Sequence, residues 1–125
     1  KRQVDNTSLA GDDIVKLIDL PADSMVIGGT LEVLEASGNA NVTLDVGTST
    51  DVDAFVDGGA SNAAADIQFN LKAAGGNIVT SADSVQVTIL DSGSSGTTAL
   101  RFRVHAVICD ISVNPVESAT VSTGT

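Results

Sequence analysis

Apolar and polar residues alternate along short segments of the chain, which is the pattern of half-buried β-strands. In the clearest segment, residues 40–46, the apolar residues Val42, Leu44 and Val46 fall on one face and polar residues stand between them. Clusters of Gly, Pro, Asn and Asp interrupt such segments roughly every 8–12 residues, as in sandwiches and barrels. The pattern therefore predicts an all-β fold.

About eight strands are predicted, and no segment has a convincing helical period. The strands cover residues 12–20, 24–35, 40–46, 51–57, 66–72, 77–80, 84–90 and 99–111. Gly28 and Gly29 predict a bulge inside the second strand, and Gly58 and Gly59 are expected to end the fourth. We expect an antiparallel two-sheet β-sandwich that is jelly-roll-like, with an immunoglobulin-like sandwich as the second choice.

The longest predicted strand, 99–111, has two faces of different character. The apolar face is expected to enter the core and contains Leu100, Phe102, Val104, Ala106 and Ile108. The other face contains Arg101, Arg103, His105, Val107 and Cys109. We call the first three of these outward residues the basic patch. It either pairs with acids on a neighbouring strand or meets an acidic surface of another subunit, so it is a candidate interface.

The patterned part of the chain predicts one domain, residues 12–111. Residues 1–11 contain few apolar positions and are expected to form an N-terminal arm. Residues 112–125 are rich in Ser and Thr and are expected to form a C-terminal tail. A chain of 125 residues is long enough for one core and too short for two ordinary domains.

Composition narrows the classes of function. The chain is 42% hydrophobic, which favours a folded domain, and its net charge of -10 opposes binding to nucleic acid. A lone cysteine, Cys109, excludes an intrachain disulfide. No apolar run has the length of a membrane span, and no signal-peptide segment follows Lys1. We therefore expect no nucleic-acid partner and no membrane partner.

Candidate chemistry is sparse, and we expect no enzymatic activity, no cofactor and no metal. His105 and Cys109, the only residues of their types, are four positions apart on one strand, about 13 Å, and cannot form a dyad. The acids of residues 51–57 suggest calcium, but Phe55 and Val56 stand where the calcium-loop pattern requires other residues. With no Trp or Tyr for stacking on sugars, carbohydrate binding is a minority hypothesis, and the three Phe are expected in the core.

Several segments resemble small virion structural proteins of tailed bacteriophages. They are IVKLIDLPADSMVIGGTLEV (14–33), NVTLDVGTSTDVDAFVDGG (41–59), SADSVQVTIL (81–90) and ALRFRVHAVICDI (99–111). The order and spacing of these pieces carry the resemblance, which extends over residues 12–111. It implies a β-sandwich component of a phage particle, without catalytic residues, that decorates or cements the head.

Residues and resemblance together favour a capsid decoration protein on the outer surface of the virion, because the acidic charge suits a position away from packaged DNA. The expected partners are the major capsid protein and further copies of the chain, as a homo-oligomer with a trimer favoured. The alternatives are a tail, fibre or head-spike component and, from a different class, a host-surface or glycan-binding module.

Overall fold

The computed structural model describes residues 2–5, 8–71 and 77–112, and this part of the chain contains strands and no helix. The described strands are β1 (Arg2–Asp5), β2 (Ile14–Leu20), β3 (Ser24–Glu35), β4 (Val42–Gly47), β5 (Val56–Ala60), β6 (Ala65–Gln68), β7 (Ile78–Val79), β8 (Asp83–Asp91) and β9 (Arg101–Asp110). The larger sheet has the order β1-β9-β3-β6, with β7 also paired to β3, and the smaller has the order β2-β8-β4-β5. The predicted antiparallel two-sheet sandwich is confirmed.

The strand pairs are nested along the chain. β1 pairs with β9, β2 with β8, β3 with β6, and β4 with β5, all antiparallel. The first four strands alternate between the two sheets, and later strands return beside their earlier partners. Most pairings therefore join residues that are distant in sequence.

One apolar core fills the space between the two sheets. The smaller sheet contributes fully buried side chains from β4 and β8, and the larger sheet contributes them from β3 and β9. The predicted inward residues Val42, Leu44 and Val46 are all buried. Burial of alternate positions on both sheets supplies the main hydrophobic stabilisation of the fold.

Three phenylalanines belong to this core, as expected. Phe102 and Phe55 are buried, and Phe69 is partly buried against the others. The rings of Phe55 and Phe69 stack with centroids 5.1 Å apart and an angle of 12° between their planes. The ring of Phe69 lies over Gly29, where a Cβ would collide with it, so this position of β3 requires glycine. The predicted bulge is also present, as a register shift between Val26 and Gly28.

The predicted strand 51–57 is wrong in its first part. Residues 52–55 form turns and bends. Just before them the N–H of Thr48 donates to the carbonyl of Asp51 at 2.9 Å, and the N–H of Asp51 donates to Thr48 Oγ1 at 3.2 Å. β5 begins only at Val56 and continues through the Gly58 and Gly59 pair that was expected to end it. Local hydrogen bonds of Thr and Asp compete with strand pairing, which explains the difference.

The N-terminal residues also differ from the expected arm. Arg2–Asp5 form strand β1, whose Val4 packs partly buried against the core opposite Phe102. A segment of four residues with one apolar side chain carries too little pattern to be predicted from the sequence. It is a strand because it pairs with β9. Apart from Ser112, the predicted tail 112–125 lies outside the described residues.

Candidate functional site

The side chains of strand β9 alternate between the core and the outer face of the sheet, as the sequence predicts. Phe102 and Val104 are buried, as is Leu100 just before the strand, while Ala106 and Ile108 pack partly buried against the core. The basic patch therefore lies on the outer face of the larger sheet. β9 is a central strand of this sheet, so the basic patch is flanked by β1 on one side and β3 on the other.

Glu32 of β3 joins two members of the basic patch. It stands opposite Arg103 in the register of β3 and β9. Arg103 donates from Nε to Glu32 Oε2 at 2.5 Å and from Nη2 to Oε1 at 3.0 Å, the fork geometry that suits a carboxylate. His105 Nε2 lies 2.6 Å from the same Oε2. One carboxylate therefore binds both basic side chains.

These contacts change the proton affinity of Glu32. The hydrogen bond from Arg103, and then that from His105, lower the pKa of Glu32 from 4.5 to about 2, against a smaller opposing effect of desolvation. The hydrogen bond to Glu32 also raises the pKa of Arg103. Glu32 is thus ionised at neutral pH and forms a charged, hydrogen-bonded pair with Arg103.

Arg101, the third member of the basic patch, has a looser partner. Its Nη2 lies 3.7 Å from Glu35 Oε2, and the two side chains are 45% and 54% exposed. An exposed pair at this distance contributes little to stability, since water and salt screen it. Arg101 is therefore the most accessible charge of the basic patch.

The structure brings the basic patch together with Glu32 and Glu35, neither of which the sequence singled out. The two acids lie on β3, far from β9 along the chain, and only the strand register places them opposite the basic residues. Their spacing of three positions is not a strand period, since a register shift separates Val33 from Glu35. Pairing within the sheet accounts for the charges of the patch, and its role as an interface stays a prediction.

The other candidate chemistry is not assembled into a site. Cys109 lies two positions beyond Val107 on the outer face, and its Sγ is 3.7 Å from the carbonyl of Asp110. Among the residues that the structure describes, no group of three His, Cys, Asp or Glu side chains could hold a metal ion. In that same part of the chain, no helix is long and apolar enough to cross a membrane.

Comparison with known proteins gives a likeness of structure without a likeness of sequence. No protein-family model matches the chain, and no curated protein matches it significantly. A chain of the cyanophage Pam1 capsid asymmetric unit aligns with a TM-score of 0.65 and 20% identity, over 86% of this chain and 79% of that one. A chain of the capsid of Ralstonia phage GP4 aligns with a TM-score of 0.62 and 20% identity, over 89% of this chain and 83% of that one. The chain therefore shares its two-sheet β-sandwich fold with chains from two phage capsids.

Proposed function

We propose that the chain is a structural protein of a bacteriophage virion, a decoration or cement protein bound to the outer surface of the major capsid shell. The observation that carries this proposal is the fold shared with chains of two phage capsids, along most of their length. The resemblance of residues 12–111 to small virion proteins points in the same direction. The partners are then the shell protein and further copies of this chain.

The size of the matched chains supports a decoration role. The alignments cover nearly nine-tenths of this chain and about four-fifths of each capsid chain, so those chains are only slightly longer than 125 residues. Each of them, like this chain, has the length of one small domain. A protein of this size suits attachment to a shell that a larger subunit forms.

The strand order supports the jelly-roll form of the sandwich. Apart from the short β7, the pairs first with last, second with second-last and so on produce two four-stranded sheets. This is a long hairpin rolled into two layers, an arrangement that occurs in viral capsid domains and also in lectins. The fold thus agrees with the capsid proposal, and an experiment must exclude glycan binding.

Charge supports an outward position. A net charge of -10 would bring the chain into repulsion with packaged DNA, whose phosphates lie inside the shell.

The acids whose pKa falls are used within the fold. Backbone N–H groups bind the carboxylates of Asp91 and Asp110 and lower their pKa values, and although burial raises the pKa of Asp83, hydrogen bonds from Ser49 and Ser84 outweigh it. We therefore assign the chain a structural role without catalysis.

Counting the copies of the chain per virion tests the proposal. Quantitative mass spectrometry of purified particles of the phage that encodes this chain should give hundreds of copies, because a decoration protein follows the symmetry of the shell. A count of a few copies would instead identify a tail, fibre or head-spike component. Binding of the purified chain to a glycan array, without binding to capsids that lack it, would favour the host-surface alternative.

A further inference from the structure

Strand β1 covers only part of one edge of β9. It pairs with residues 101–104, whereas on the other side of β9 the pairing with β3 extends from Arg101 to Asp110. Within residues 2–5, 8–71 and 77–112, no strand pairs with residues 106–110 on the side where β1 lies. We call this part of β9 the open edge. A strand directs N–H and C=O groups to both of its sides, so the open edge offers backbone groups for a further strand.

Burial of the core changes at the point where β1 ends. Phe102 and Val104, the core-facing residues beside β1, have no exposed surface. Farther along the same face of β9, Ala106 and Ile108 pack against the core but are only partly buried. Val4 of β1 stands opposite Phe102 and adds its own side chain to the core. The core is therefore covered beside β1 and less completely covered beside the open edge.

The chain leaves β9 at the end of this open edge. Just beyond β9, the N–H of Ile111 donates to the carbonyl of Asp23 at 2.9 Å. Residues 113–125 come next and lie outside the described part of the chain. They include two turn-forming residues, Asn114 and Pro115. Because β3 occupies the other side of β9, a chain that turns here runs back along the open edge, antiparallel to β9 and towards the start of β1.

We infer that the segment after Pro115, residues 116–123, supplies a further strand that pairs with the open edge as an antiparallel hairpin. The open edge is about 17 Å long in extended conformation, which five residues of the segment span. The added strand begins after Pro115, since proline has no N–H for a ladder. Val and Thr, which strands favour, make up half of the segment, and Glu117 is its only charged residue.

Alternation determines which side chains of the added strand face the core. Ala119 and Val121 share one face of the segment, and they are two of its three apolar residues. Beside Ala106 and Ile108 they complete the cover of the core, as β1 does along its own part of the edge. Placing either Ala119 or Val121 opposite Ile108 allows two registers of the hairpin, which differ by two residues.

Cysteine pairing tests the hairpin and its register. Cys109 is the only cysteine of the chain and lies on the outer face of β9, opposite Ser118 in one register and Thr120 in the other. With oxidised glutathione as oxidant, Ser118→Cys or Thr120→Cys should form an intramolecular disulfide, because opposed Cα atoms are about 4.5–5.5 Å apart. Ala119→Cys is the matched control, since its side chain faces the core, and its disulfide should be at least ~10-fold less stable. Equal stability in all three variants would overturn the inference.

Hydrogen exchange provides a test without added cysteines. A variant ending at Ser112 should exchange at least ~10-fold faster at alternate amides of residues 106–110, with little change at residues 84–90 of β8 in the other sheet. Thr120→Pro should have the same effect, because it removes an N–H and interrupts the added strand. Thr125→Pro, beyond that strand, is the control and should have none. Equal exchange in the full and the shortened chain would overturn the inference.

Concentration distinguishes the chain's own segment from that of a second copy. A hairpin within one chain gives the same protection of residues 106–110 at every protein concentration, and its disulfide has the mass of a single chain. Disulfide-linked dimers, or protection that increases with concentration, would assign the open edge to a neighbouring copy and overturn the inference. These measurements need no capsid, so their failure is distinct from failure of the decoration role.

Discussion

Glu32 and Arg103 stand opposite each other on two central strands of the larger sheet and are joined at both oxygens of the carboxylate. The two residues are 71 positions apart in the sequence. A bidentate pair has one favourable alignment, so it favours a single register between β3 and β9. Formation of this ion pair therefore indicates that β3 and β9 have paired in the correct register.

The stability contributed by Glu32 should depend on pH in the acid range. Its pKa is about 2 in the folded chain and near 4.5 when unfolded, so the contribution is complete above pH 4.5 and is lost as the pH falls towards 2. Urea unfolding of wild type and Glu32→Gln at several pH values should show a difference that shrinks over this range. A difference that stays constant between pH 5 and pH 2 would contradict the assignment.

Replacing Phe102 tests the core. Its side chain has no exposed surface, so Phe102→Ala should lower the free energy of unfolding by about 3–5 kcal/mol through lost transfer energy and a cavity. Phe69→Ala is the matched control, since this ring is only partly buried and should cost less. Chemical denaturation measures both, and a loss for Phe102→Ala no larger than the about 0.5 kcal/mol of a surface substitution would refute its place in the core.

A charge swap separates the two hypotheses for the basic patch. Arg101→Glu should lower the melting temperature, since it faces Glu35 with a like charge, and the added change Glu35→Arg should restore it. Because acids of the same sheet already pair with the patch, we expect the double variant to occupy capsids as well as the wild type at low and moderate salt. Reduced occupancy with a restored melting temperature, most marked at low salt, would identify the patch as an interface.

Removal of residues 1–5 should expose one edge of β9. The strand β1 pairs with residues 101–104, and Val4 packs against the core, so the truncated chain should unfold more easily. Hydrogen exchange should become faster at residues 101–104 and change less at 84–90 of β8, which belongs to the other sheet. Unchanged exchange at 101–104 would mean that β1 does not protect this edge in solution.

Segments with strong periodicity could be predicted closely from the sequence. The second predicted strand matches β3, residues 24–35, at both ends, because Pro21 and the glycine at position 38 bound a long apolar segment. β9 differs from its prediction 99–111 by two residues at one end and one at the other. In β9 the buried face has the side chains that period two assigns to it, whereas the bulge in β3 shifts the buried positions from Val26 to Leu31 and Val33.

Features that depend on distant partners could not be predicted. β1 has one core-facing residue and exists as a strand because β9 offers it an edge. The basic patch was visible on β9, but its partners Glu32 and Glu35 depend on the register between two strands remote in sequence. The turn at residues 52–55 was missed since its alternating Asp and Val residues imitate a strand, while local hydrogen bonds to Thr48 and Asp51 fold it back.

The nested order of the strands has a consequence for how the chain acquires its structure. β9 is the last described strand, and it joins β1 to β3 at the centre of the larger sheet. The ribosome must therefore synthesise nearly the whole sandwich before that sheet can form. Until then, the edges of β1 and β3 that pair with β9 are unpaired. Folds dominated by such distant contacts reach the native state in roughly milliseconds to seconds, far more slowly than helical bundles. Synthesis at about 5–20 residues per second is slower than this, so the time needed to synthesise β9, rather than the folding step, sets how long the edges of β1 and β3 stay exposed.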